Sequence, residues 1–298
     1  MTGAGAALPA GLATAPRRLP ASAWAGLAVI LVSQAGTFAG VQPFATWHTP
    51  LAWTGYILLV DGLVWKRRGN SWLRNARGEF LFLALASVPL WVVFELYNKF
   101  ALGNWYYVGL PYFMLVRYAG YVWSFATIWP AIFETAELVG AWRDRRAPDY
   151  RAEAPRPEPL TPAAGAAVIA GAAMLLAPIL YPSPYLAAPV FLGFIFLLDP
   201  LNARAGAESI LGDWRQGRTA RLVNLLVAGL VCGLLWEFWN YWAHTKWIYN
   251  VPILPHVKIF EMPILGFGGF PPFAVECFVM YVALRRLIWS GAPRPIAL

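Results

Sequence analysis

Charge is what this chain has least of. Only 13% of its 298 residues are Asp, Glu, Lys or Arg, against roughly 25% in an average soluble domain. That scarcity excludes an ordinary soluble globular protein. Cysteine is nearly absent too. Cys232 and Cys277 both lie in apolar stretches, so no disulfide framework or zinc spacing exists and small buried thiols are the plain reading. The three histidines, His48, His244 and His256, show no H-E-x-x-H or related ligand spacing, and no metal site is expected. A P-loop and a dinucleotide fingerprint are also missing, so no nucleotide cofactor is indicated. The net charge of +8 comes without a nucleic-acid motif. Its basic residues sit in short runs between apolar stretches, as in the loops of a membrane protein.

Hydrophobic residues, by contrast, make up 59% of the chain, and there are 16 Trp. Trp and Tyr gather where helices cross the headgroup layer, so a many-helix bundle accumulates them. A span needs roughly 20 apolar residues. Spans are expected near 23–41, 50–66, 79–101, 112–142, 163–182, 185–203, 219–242 and 263–288, which predicts an all-α integral membrane protein of eight transmembrane helices. The fourth, containing Pro130, and the eighth, containing the run Gly266 to Pro272, are expected to be kinked or broken. Residues 1–22, rich in Ala, Gly and Pro, read as a disordered cytoplasmic tail. With the N-terminus inside, 19 of the 23 Lys and Arg fall on inner segments and four (Lys99, Arg117, Lys246 and Lys258) on the other side. The positive-inside rule then places both termini in the cytoplasm.

A polar stretch, 143–162, divides the chain almost in half, and the halves (23–142 and 163–298) match. Gly55 to Asp61 parallels Gly193 to Asp199, and Phe94-Glu95-Leu96-Tyr97-Asn98 parallels Trp236-Glu237-Phe238-Trp239-Asn240. Seven residues after each Asn comes an aromatic cluster, Trp105-Tyr106-Tyr107 or Trp247-Ile248-Tyr249. Pro130 precedes Glu134 as Pro272 precedes Glu276, and 39 residues separate Glu95 from Glu134 and Glu237 from Glu276. Two tandem four-helix repeats, in parallel orientation, account for all of these matches in order.

A charged side chain in lipid costs at least ~2.5–3.5 kcal/mol, which makes embedded acids the first candidates for function. Glu237, Glu276, Glu95 and Glu134 are the candidate catalytic carboxylates, and Glu137 is embedded beside them. Asp61 and Asp199 fall at helix ends, where capping competes with substrate binding. Asn98 and Asn240 follow their glutamates at i+3, on the same helical face. His244 is expected to extend the Glu237–Asn240 stripe into the bundle, with Trp236 and Trp239 as walls. If Pro272 opens the last helix, Glu276 lies in its first turns; if the helix runs from Pro263, Glu276 lies nearer mid-membrane.

An embedded carboxylate, an aromatic W-x-Y step (Trp105 to Tyr107, Trp247 to Tyr249) and a later Pro followed by Glu resemble the integral membrane cyclases of isoprenoid metabolism. The nearest are heterodimeric-type lycopene cyclase domains, with the Trp236-Glu237 step also resembling membrane terpene cyclases. The chain departs from the former in having Thr135 and Cys277 where a second acid would follow Glu134 and Glu276, and four helices per repeat. The resemblance implies an enzyme in which a buried carboxylic acid protonates a polyprenyl double bond, aromatic faces stabilise the cation and a second carboxylate removes a proton. Glu237 and Glu276 would form that pair. The expected partner is a membrane isoprenoid lipid, with no nucleic acid, and the expected location the cytoplasmic membrane. A proton-coupled transporter is the rival reading.

Overall fold

A computed structural model describes residues 17–144, 148 and 155–298. The expected tail therefore lies outside the described residues up to position 16, and the expected linker does so at 145–147 and 149–154.

The chain is predominantly helical. Helix α1 (Ala21–Phe38) packs antiparallel against α2 (Phe44–Arg68), and α7 (Pro162–Leu180) against α8 (Ala187–Arg204). Glycines set both crossings. A Cβ on Gly26 would stand 2.4 Å from the Gly55 carbonyl, and one on Gly171 would stand 2.7 Å from the Gly193 carbonyl. Small residues let backbones meet this closely where lipid supplies no hydrophobic drive between helices. Helix α2 ends on Lys66, Arg67 and Arg68, with Gly69 in the left-handed region, the charge and cap that a helix C-terminus favours.

Each pair is followed by a short helix, α3 (Trp72–Asn75) or α9 (Ile210–Arg215). A long helix comes next, α4 (Arg77–Tyr97) or α10 (Ala220–Trp242), and then a four-residue strand, β1 (Trp105–Val108) or β2 (Lys246–Tyr249). The two strands pair antiparallel, Trp105 opposite Tyr249 and Tyr107 opposite Trp247. The two aromatic clusters thus lie against each other.

The expected fourth span is broken into α5 (Met114–Phe125) and α6 (Ile128–Arg143). The gap at Ala126–Thr127 lies four residues before Pro130, whose ring crowds the i−4 carbonyl and whose nitrogen cannot bond to it. Ser87 Oγ of α4 bridges the break, donating to the Phe125 carbonyl and accepting from Trp129 N at 3.2 Å. The last span is interrupted as well. A two-residue strand β3 (Lys258–Ile259) pairs with β4 (Met262–Pro263), a 3₁₀ segment follows over Ile264–Gly269, and α11 (Phe270–Ile288) opens with Pro271 and Pro272 in its first turn. The helix therefore starts beside Pro272, not at Pro263.

Among the described residues, six helical segments are long and apolar enough to cross a membrane: Ala21–Phe38, Arg77–Leu102, Pro162–Leu180, Pro184–Arg204, Ala220–Trp242 and Ile264–Ile288. The molecule is accordingly a multi-pass membrane protein. Only 22–28% of the α1, α4 and α7 windows is buried inside the protein, against 50% and 56% for α10 and α11. Leu81, Leu85, Ile169 and Leu176 are all more than half exposed. Apolar surface on this scale is the mark of a lipid-facing wall. α10 and α11, together with α6 and α2, form the centre, where Trp53, Trp129, Phe133, Phe278 and Tyr281 are fully buried.

The end of the bundle away from the strands is held by buried ion pairs. Arg285 bridges Glu79 at 2.9 Å and Glu208 at 2.6 Å. Arg221 bridges Glu208 and Asp213, each at 2.6 Å, and Arg294 pairs with Glu137 at 2.8 Å. Ile296 and Ala297 are buried here, and Asn224 and Arg68 donate to the main-chain oxygens of Ala297 and Leu298.

Candidate functional site

At the strand end lies a cavity of about 520 Å³. Its walls are aromatic, with Trp53 from α2, Trp91 from α4, Trp105 and Trp247 from the strands, Trp236 from α10 and Phe273 from α11. Glu237 is the one carboxylate among the described residues bordering it, while Arg117 and Lys246 are its cations. Such a site, mostly apolar with a few placed polar groups, is the usual form of a small-molecule pocket.

Glu237 is held on one side only. The Tyr249 hydroxyl donates to its Oε1 at 2.8 Å, whereas Oε2 is buried without a hydrogen-bond partner. Trp247 Nε1 in turn donates to the Tyr249 oxygen at 2.8 Å. Burial, and then the neighbouring carboxylate, push the Tyr249 phenol well above its ordinary range, so it stays a neutral donor. Glu237 has 0% exposure; it forms part of the wall, behind the aromatic surface. The equivalent carboxylate in the first half is treated differently. Glu95 Oε1 accepts from Trp91 Nε1 at 2.9 Å, Trp105 Nε1 at 3.2 Å and the Tyr107 hydroxyl at 2.6 Å. Glu95 itself does not border the cavity; its three donors do, and they stand between it and the space.

The strands carry this arrangement because residues i and i+2 of an extended segment share a face. Trp105 and Tyr107, like Trp247 and Tyr249, point back to the glutamate of their own helix. The asparagines fix the return. Asn98 Nδ2 donates to the Trp105 carbonyl at 2.8 Å while its Oδ1 accepts from Trp105 N at 3.1 Å. Asn240 does the same with Trp247, at 2.8 and 2.9 Å. Both side chains thus clamp strand to helix end.

The remaining candidates fall elsewhere. His244 lies beyond the end of α10 and is exposed, with its backbone nitrogen donating to Ala45 O at 3.0 Å. The helix stops at Trp242 because Asn240 turns the chain into β2, so the expected stripe ends at Asn240. Trp239 packs edge-on against Trp53, centroids 4.8 Å apart, behind the cavity wall. Asp61 Oδ1 accepts from Leu73 N at 2.9 Å, and the Asp199 carboxylate accepts from Ile210 N and Leu211 N at 2.7 and 2.8 Å. These aspartates cap α3 and α9 and border no part of the cavity. Glu134 and Glu276 are fully buried and none of their oxygens has a hydrogen-bond partner, but neither lines the space. The structure therefore separates Glu276 from Glu237's cavity, although Pro272 and Phe273, one turn earlier, border it.

Sequence reasoning misses Trp53, Trp91 and Arg117 as wall residues, and reads the W-x-Y steps as marks of the repeat and of the family resemblance, with no role as hydrogen-bond donors towards the glutamates. Period-two alternation within those steps was the available signal. Among the described residues no three His, Cys, Asp or Glu gather as metal ligands. No family model, curated protein or solved structure matches this chain.

Proposed function

We propose that the protein is a membrane-embedded, cofactor-independent enzyme that isomerises or cyclises a hydrophobic, isoprenoid-type lipid, with Glu237 as general acid and base. The observation that carries this reading is a buried carboxyl at the wall of an aromatic cavity, one oxygen fixed by Tyr249 and the other without a partner.

The chemistry balances on that one group. The Oε2 proton passes to an alkene carbon, whose π electrons form the new C–H bond and leave a tertiary cation on the neighbouring carbon. A second alkene of the same chain closes a ring, or the cation stays in place. The Glu237 carboxylate then takes an adjacent proton, and that C–H pair becomes the new double bond. The product is an isomer and the acid is restored. Trp53, Trp236 and Trp247 face the cation, each contact contributing up to ~2 kcal/mol when desolvated, and they offer no nucleophile to trap it. Because Glu237 has no exposed surface, substrate entry must shift an aromatic wall residue, which places a gating step before the chemistry. A single carboxyl replaces the Glu237–Glu276 pair expected from the resemblance to isoprenoid cyclases.

The same reading extends to topology. Two tandem four-helix repeats, eight crossings and both termini at the cytoplasmic face of a cytoplasmic membrane are supported by the matched Asp61/Asp199 caps, Asn98/Asn240 clamps and Tyr107/Tyr249 donors. The arginine cluster at the end away from the strands supports that orientation. Two crossings of that reading are the 25-residue α2, which carries Asp61 and three basic residues, and the broken α5–α6.

The test is mass spectrometry of lipids extracted from cells expressing wild type, Glu237→Gln or Glu276→Gln at matched membrane levels. A rearranged isoprenoid present with wild type and Glu276→Gln but lost in Glu237→Gln is expected. The loss should be at least ~10²-fold, the usual worth of a positioned general acid. An unchanged lipid profile in a host that supplies the precursors would sink the enzyme. A proton-coupled transporter is the second reading, favoured by the unpartnered carboxylates of Glu134 and Glu276 away from the cavity. It predicts uptake or export that Glu276→Gln stops.

A further inference from the structure

We infer that the cavity's ligand carries an anionic, phosphate-type headgroup on its apolar tail, and that Arg117 binds it. The inference rests on the reading of this cavity as the substrate site and adds the chemistry of the substrate's other end.

Arg117 borders the cavity from the first turn of α5 and is half-buried. Its Nε and Nη2 both donate to one oxygen, the Pro111 carbonyl, at 3.2 and 3.0 Å. Nη1 has no partner among the described residues, and no described carboxylate pairs with this guanidinium. The other cation at the rim differs, since Lys246 is neutralised by Glu261 at 2.9 Å. Among the described residues the only acid bordering the space, Glu237, is engaged by Tyr249 and lies behind the wall. A guanidinium facing an aromatic chamber without a counterion carries an uncompensated desolvation cost, which a ligand oxyanion removes. Guanidinium suits phosphate oxygens, and charge-assisted bonds to them are about twice as strong as neutral ones. The rest of the wall, Trp47 and Tyr121 included, is mostly apolar or aromatic, with Thr46, Thr49, Asn104, Ser124 and Thr245 as its uncharged polar members, and fits a hydrocarbon tail. The phosphate could belong to an isoprenoid monophosphate or to a bilayer phospholipid, and the two share this chemistry.

The full chain, purified in neutral detergent, would be titrated with geranylgeranyl monophosphate, dioleoyl phosphatidic acid and geranylgeraniol, with quenching of tryptophan fluorescence as the signal. At least one phosphate should bind at least tenfold tighter than the alcohol. Arg117→Gln should weaken that phosphate roughly ten- to hundredfold, the value of a hydrogen bond to a charged group, and leave the alcohol unchanged. Arg117→Lys should keep part of the preference. Tighter binding of the isoprenoid phosphate would assign the site to substrate, and tighter binding of phosphatidic acid would assign it to bilayer lipid; either outcome keeps the anion site. Equal affinity for alcohol and phosphate, a preference that survives Arg117→Gln, no saturable quenching by either phosphate, or loss of all ligands in both variants would overturn it. A phosphate preference with no lipid product in cells would retain this site and remove the isomerase. A product with no phosphate preference would do the reverse.

Discussion

Two glutamates at equivalent positions have been given unequal company. Glu95 receives two indole N–H groups and a phenol on one oxygen, while Glu237 receives one phenol and keeps an oxygen unpartnered. A carboxyl that must give up and recover a proton needs a lone pair free of donors beside the substrate space, and of the embedded glutamates it is Glu237 that borders the cavity. Removing the Tyr249 hydroxyl strips the fixed oxygen of its donor inside a dry wall, at a cost of about 1–3 kcal/mol. Tyr249→Phe should therefore lower the unfolding midpoint in detergent and the yield of lipid product together. Tyr107→Phe leaves Glu95 with Trp91 and Trp105, so product yield should hold close to wild type. Equal losses of product in the two variants would show that the asymmetry has no functional meaning.

The elements meet by backbone contact at a few places that substitution can probe. Gly26 and Gly55 approach so closely that an added Cβ would stand 2.4–2.6 Å from the opposing carbonyl, so Gly55→Val should separate α1 from α2. A loss of about 1–3 kcal/mol, the cost of overpacking, is expected in chemical unfolding, while Gly165→Val, with no neighbour within 4 Å, should be silent. The strand register is testable too. Tyr106 lies opposite Ile248, where cross-strand Cβ atoms stand ~4.5–5.5 Å apart. Tyr106→Cys with Ile248→Cys should cross-link on mild oxidation, scored as protection from splitting after proteolysis between the halves. Failure to cross-link would dismiss the register. Much of this level was legible in the sequence. Apolar runs located the six helical segments long and apolar enough to cross a membrane among the described residues, and Pro130 and Pro272 marked the two interruptions. The Asp and Asn matches, and the Tyr of each W-x-Y step, marked residues that make equivalent contacts in the two halves. Three features were not legible, for physical reasons. The break before α6 falls at Ala126, because a proline acts on the carbonyl four residues back. His244 left the stripe because Asn240 turns the chain, which helical periodicity cannot foresee. The separation of Glu276 from the cavity depends on how α11 packs against α8, and no spacing along one helix encodes that.

At the scale of the whole molecule, the halves are joined by interlocking and not merely by a connecting segment. β1 pairs with β2 at one end; Trp53 meets Trp236 in the middle, with centroids 5.0 Å apart; and at the far end Arg285 of the second half holds Glu79 of the first. Arg294 likewise holds Glu137. Charge pairs this dry gain little net stability over apolar residues but are costly to break singly, ~3–5 kcal/mol when one partner is removed. They therefore make wrong pairings of the halves unfavourable. Consequently the covalent connection should be dispensable. Residues 1–148 and 155–298, expressed together as separate chains with a tag on one, should co-purify from detergent-solubilised membranes. They should also restore whatever lipid product the intact chain makes. Arg285→Ala in the second fragment leaves Glu79 and part of Glu208 without a counterion and should reduce recovery of the untagged first fragment severalfold. Glu261→Gln, whose ion pair to Lys246 lies within the second half, should leave that recovery unchanged. Fragments that insert into the membrane but never co-purify would mean that chain connectivity, not the buried network, holds the halves in register.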